Sequence, residues 1–175
     1  LTRAGAHAYQ LSAPAEAIAL YRRGLALLEH LPESAARDRQ ELDLQMGLDM
    51  PLFAEQGWGA PQRADALERA YVLAHRLNAT TRQFSILRAL ADVHTAQAKH
   101  HQSLVYAEQL SALSQQVHNP RYEILSHRMR GISHLFLGHY QEARGHFEEG
   151  IRCLHTLKES TSDPAVLPAS EETAF

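Results

Sequence analysis

The sequence predicts an all-α fold of stacked helical hairpins, and three observations carry that prediction. Apolar residues recur at helical spacing almost throughout, as in Ile18, Tyr21, Leu25 and Leu28, or Leu110, Leu113 and Val117. Strand-like alternation is nowhere sustained. A pattern near the start, Ala17-x3-Tyr21-x2-Gly24-Leu25, returns as Ala143-x3-Phe147-x2-Gly150-Ile151 after 126 residues, or three steps of 42.

Punctuation divides the chain into eight predicted helices, near 2–11, 14–30, 33–56, 60–77, 80–98, 100–118, 120–137 and 139–157. Pro14, just after Ser12, opens the second. Pro51 lies inside the third, where a missing amide and a clash with the preceding turn predict a kink or break near Asp49. Gly57-Trp58-Gly59 stops that stretch with an aromatic anchor, and Pro61 opens the fourth. Asn78-Ala79-Thr80 matches a glycosylation sequon, but reads as the end of one helix and the start of the next. Asn119-Pro120 supplies an N-cap with proline at the first helical position. From Thr156 the chain turns polar, with Pro164 and Pro168, so the expected organisation is a repeat domain over 1–157 and a flexible tail over 158–175.

Small residues before the hairpin turns recur at Gly5, Gly47, Ala91 and Gly131, at steps of 42, 44 and 40 residues. A small residue on the first helix of a hairpin admits close approach of the second, and an aromatic fills the gap beside it. One hairpin alone cannot bury its apolar face.

These residues resemble the tetratricopeptide repeat. The last unit fits best, through Gly131, Gly138-His139-Tyr140, Ala143, Phe147 and Gly150, with Arg130 where the family favours leucine. The first fits through Gly5, Ala17, Tyr21 and Gly24. In the third, Ser103 and Ala107 replace the alanine and the aromatic; in the second the register stays open between Arg63/Leu67/Ala70 and Ala66/Ala70/Leu73. The resemblance implies a right-handed α-α superhelix of four hairpins. More narrowly, Tyr21–Leu28, Arg39–Gln45 and Phe147–Ile151 look like the helical-repeat arms of large bacterial signalling ATPases, which carry a nucleotide-hydrolysing switch with cyclase, kinase or DNA-binding modules. On that resemblance the chain is a regulatory or partner-sensing arm, excised from a larger cytoplasmic protein.

Composition narrows the function classes. Seventeen Lys and Arg against twenty Asp and Glu give a net charge of −3, which offers no strong field for nucleic acid or an anionic membrane. Cys153 is the single cysteine and reads as packing. No run of about 18 apolar residues is present to span a bilayer. Lys99 and Lys158 are the only lysines and neither follows glycine, which excludes a phosphate-binding loop of that type. Twelve histidines invite a metal reading, but no His-Glu-x-x-His occurs, and no cysteine pair or carboxylate joins His127, His134, His139 and His146 at ligand spacing along the chain. No metal, cofactor or catalytic site is therefore expected, and His94 and His134 read as hydrogen-bonded packing residues.

The resemblance places the binding surface on the concave face. Carried over position by position, the groove residues are Ser85, Arg88, Asp92, Thr95 and Ala96 in the third unit, and Leu125, Arg128, Ile132, Leu135 and Phe136 in the fourth. Arg88 and Arg128 occupy equivalent places, where guanidinium forks suit a carboxylate or a peptide terminus. Pairing of Arg88 with Asp92, one helical turn away, is the competing expectation. The expected partner is a protein or peptide segment, or a neighbouring domain of the parent. The alternative is a metabolite held by Arg88, Asp92, Arg128 and an aromatic such as Phe84 or Tyr122. Ile132, Leu135 and Phe136 leave an apolar end, to be covered by a further repeat, by Val166-Leu167 of the tail, or by a second copy of the chain.

Overall fold

In a computed structural model, residues 1–162 are described, with side chains through Lys158. They form nine helices and no strand: α1 (Thr2–Gln10), α2 (Pro14–Leu28), α3 (Ala35–Gly47), α4 (Asp49–Gln56), α5 (Pro61–Arg76), α6 (Thr80–Ala96), α7 (His100–Val117), α8 (Pro120–Phe136) and α9 (Tyr140–Ser162). The expected all-α helical repeat is the fold observed. The predicted helix 33–56 is two helices, parted at Leu48. Pro51 is the third residue of α4, in the first turn, where backbone amides have no intrahelical acceptor and a missing N–H costs nothing. The last helix runs to Ser162, five residues beyond its expected end. The expectations for the tail, including Val166-Leu167, fall mostly or wholly outside the described residues.

Four hairpins stack in chain order: α1/α2, α3–α4/α5, α6/α7 and α8/α9. The core accordingly comes as a series of apolar clusters. One joins the first two units through Ala17, Tyr21, Leu44 and Leu52; a second joins the next through Leu42, Leu73, Ile86 and Leu90; a third joins the last two through Phe84, Leu87, Leu110 and Met129. Gly47 and Gly5 flank Tyr21, and a Cβ on either would come within 2.7 Å of its ring; Gly131 meets Phe147 at 2.6 Å in the same way. The small-against-aromatic packing expected from the repeat is thus the contact observed. In the third unit, where Ser103 and Ala107 replace alanine and aromatic, fully buried Met129 joins Ala107 in the core, and the Ser103 hydroxyl donates to the Ala91 carbonyl at 3.0 Å. In α5 every residue of both candidate registers is buried, because the helix is packed against α3 on one side and α6 on the other.

Four of the turns between helices share a backbone device. Ser12, Asn78, Ala98 and Gly138 each follow a helix with φ between 52° and 79°. The amide after each reaches back to a carbonyl five residues earlier, as from Ala13 to Ala8 and from Lys99 to His94. Asn78 is the turn residue between α5 and α6, as its sequence context predicts.

Candidate functional site: the concave face

Asp92 is the centre of a charged cluster drawn from three units. Burial pushes its carboxyl above the usual range, while Arg88, Arg128 and Arg63 pull it down and Asp49 opposes them. Arg88 donates to Asp92 at 2.9 Å within α6, so the competing expectation for this arginine is realised. Such an i,i+4 pair contributes about 0.5 kcal/mol, and Arg88 keeps 38% of its side chain exposed. Arg128 is exposed, and among the described residues no carboxylate lies within ion-pair distance of it. Among the described residues its one polar contact is a long one of 3.9 Å to the Met129 sulfur.

Two residues that the sequence does not single out complete the cluster. Arg63 is 5% exposed and donates to Asp49 at 2.5 Å and to the Trp58 carbonyl at 3.0 Å. Its guanidinium lies 5.8 Å from the Phe53 ring centre and 5.9 Å from that of Trp58. This pair is closed, whereas the Arg88 side chain is 38% exposed and Arg128 is exposed. A buried arginine at an alanine-rich helix position is the signal that points to Arg63. Trp58 stands edge-on to Phe53 at 5.0 Å but stays 57% exposed, so the expected anchor covers Arg63 without entering the core.

The remaining expected groove residues divide. Ser85 is exposed and its hydroxyl donates to Thr81. Thr95 is committed to helix packing: its hydroxyl donates to the Ala91 carbonyl at 2.9 Å and lies 2.8 Å from the Ser103 hydroxyl. Leu125 and Ile132 are half-buried, and Ala96 and Leu135 are exposed. Phe136 stacks on His100 with ring centres 4.9 Å apart, beside the α6–α7 turn. Arg88, Asp92 and Arg128 are therefore the part of the set brought together. Phe84, offered by the metabolite alternative, is buried and stacked on Tyr122 at 3.7 Å.

The histidines form a second polar cluster, between α8 and α9. His127 and His146 approach at 3.3 Å through Nδ1, as do His134 and His139, and the rings of His134 and His146 stack at 5.4 Å. Burial, then Arg130, His127 and His134, lower His146 to about 4. Burial and Arg130 lower His127 as well. His94 is buried, with Nδ1 2.9 Å from the Leu90 carbonyl, which is the packing role expected of it. The spacing argument against ligands is corrected in one place: Glu123 stands one turn before His127 on α8, and α9 brings Cys153 to them, with the three donor atoms within 4.8 Å of one another. Cys153 is half-exposed beside a cleft rather than packed in the core.

Fold and surface together define an all-α helical-repeat protein with a charged cluster shared by its second, third and fourth hairpins. A family model for the tetratricopeptide repeat matches residues 82–154, the third and fourth hairpins and less than half of the chain. Repeats of that family generally mediate protein–protein interaction and are typically non-catalytic. No curated protein matches the chain. Among the described residues, no helix is long and apolar enough to cross a membrane.

Proposed function

We propose that the chain is the recognition arm of a larger cytoplasmic signalling protein and performs no catalysis itself. It binds an extended partner segment across the concave face, and the bend of the array transmits occupancy to an attached switch domain. The observation that carries this reading is Arg128, an exposed cation that has no carboxylate within ion-pair distance among the described residues and acts electrostatically on Asp92 beside Arg88. A carboxylate from the partner supplies the missing charge. Arg88 can turn to join it at small cost, because its own pair is weak and partly exposed. The segment is therefore acidic, or ends in a free carboxyl group. A metabolite in the same groove loses one stacking partner, since Phe84 is already enclosed.

The test is an array of acidic and C-terminal-carboxylate peptides probed with the wild type, with an Arg88→Glu/Arg128→Glu variant and with Asp92→Asn. All proteins must retain wild-type helical circular dichroism. Expected are salt-sensitive peptides lost on the double variant and held several-fold more tightly by Asp92→Asn, which frees Arg88. Peptide binding that the double variant keeps overturns the groove assignment. A thermal midpoint raised by a metabolite in a concentration-dependent way, with no peptide bound, overturns peptide recognition in favour of ligand sensing.

A further inference from the structure

Glu123 and His127 are one turn apart on α8, and Glu149 and Cys153 are one turn apart on the facing α9. Residues at this spacing share a helix face, so the two antiparallel helices present two pairs of metal-binding side chains to each other. Three of the four already converge, with donor atoms of Glu123, His127 and Cys153 mutually within 4.8 Å. Beside them lies a cleft of about 300 Å³, lined by Glu123, Glu149, Arg152 and Cys153 among others.

We propose that Glu123, His127 and Cys153 form a binding site for a transition-metal dication of the zinc type. An oxygen, a nitrogen and a sulfur donor form a set that favours borderline-soft ions over calcium or magnesium. Ligand atoms around a tetrahedral zinc stand about 3.2–3.8 Å apart, so the three groups need to close by at most about 1.6 Å. In the proposed site His127 is held by His146, whose Nδ1 lies 3.3 Å from its own, and the metal takes Nε2. The fourth position opens on the cleft. Glu149 lines the same cleft but is paired with Arg152, so water takes the fourth position. The site lies on α8 and α9, separate from the concave cluster, and does not rest on the proposed peptide recognition.

Reduced, metal-free full chain titrated with Zn²⁺ alone, by calorimetry, tests the assignment. One ion per chain is expected, with affinity reduced at least tenfold by Cys153→Ser and by His127→Asn and little changed by a His134→Gln/His139→Gln variant. Co²⁺ in place of Zn²⁺ is expected to give a thiolate-to-cobalt absorption band that Cys153→Ser removes, a readout independent of how stable each variant is. Absence of the band overturns the proposal. So does binding that survives Cys153→Ser but is lost with His134 and His139, which places the ion elsewhere among the histidines. Absence of any stoichiometric binding overturns it as well.

Discussion

Gly131 shows how one hydrogen atom sets the spacing of a hairpin. Its missing side chain leaves room for the Phe147 ring, and an added methyl group at 2.6 Å from that ring has no space without displacement of a whole aromatic. Gly131→Ala is expected to destabilise the chain by about 1–3 kcal/mol in urea denaturation, and Phe147→Leu in the same chain to recover part of the loss. His146 makes the second residue-scale prediction. Its folded value of about 4 lies below the 6.5 of an unfolded histidine, so between those values the unfolded chain binds the proton first. The contribution is intact above about pH 6.5 and is lost as pH falls towards 4. Thermal melts from pH 7 to pH 4.5 should show a falling midpoint, and His146→Gln should flatten the profile. An unchanged profile in the variant would remove His146 as its cause.

At the scale of elements, α4 is the unusual part of the array. Eight residues long, it ends at Gly57 with φ of 90°, packs through Leu52 into the first apolar cluster and is tied by one charged side chain from the following helix. Arg63 ties Asp49 at the start of α4 to the Trp58 carbonyl beyond its end, under the Phe53 and Trp58 rings. Truncating one member leaves the other charge buried without its partner. Arg63→Ala is expected to cost about 3 kcal/mol, and the Arg63→Ala/Asp49→Ala double variant distinctly less than the sum of the two single changes. Additive costs in that denaturation cycle would show that the two charges do not act as a pair. On the other side, the acidic face of α3 is tied outward by Glu41–Arg69, Asp38–Arg76 and Asp43–Arg82. Three ion pairs with mostly exposed arginines contribute little each, so the apolar cluster around Leu42, Leu73 and Leu90 holds α3 in place.

The whole molecule is a chain of neighbours, with each cluster shared by two adjacent hairpins. Stability in such an array is a sum of local terms and interfaces, and the end units have one neighbour instead of two. Native-state hydrogen exchange should therefore be slowest in α5 and α6, around Leu73 and Leu90, and faster in α1 and α9. Equal protection along the array would mean that the four hairpins unfold as one unit. The charged cluster around Asp92 is also a property at this scale. Asp49 and Arg63 come from the second unit, Arg88 and Asp92 from the third and Arg128 from the fourth.

Residues that act within one repeat could be read directly. Tyr21 with Gly5 and Gly47, Phe147 with Gly131, the break near Pro51 and the helix start at Asn119-Pro120 follow from local spacing and turn chemistry, because their partners recur at fixed intervals. The turns were only partly legible: Gly138 announces a left-handed residue, whereas Ser12, Ala98 and His118 adopt one without the residue type that signals it. The register of α5 was hidden for a different reason, since a helix packed on both sides loses the single apolar stripe that marks its orientation. Arg88 and Arg128 were legible as a pair through the repeat frame. Residues close in the chain or one period apart are enough to set the helices, their hairpin pairing and the small-to-aromatic contacts. That Arg63 closes on Asp49 while Arg128 has no carboxylate within ion-pair distance among the described residues, and that Cys153 meets Glu123 and His127, follows only from the packing of the helices. Those outcomes depend on how far one helix is rotated against the next, and that angle is set by packing across units.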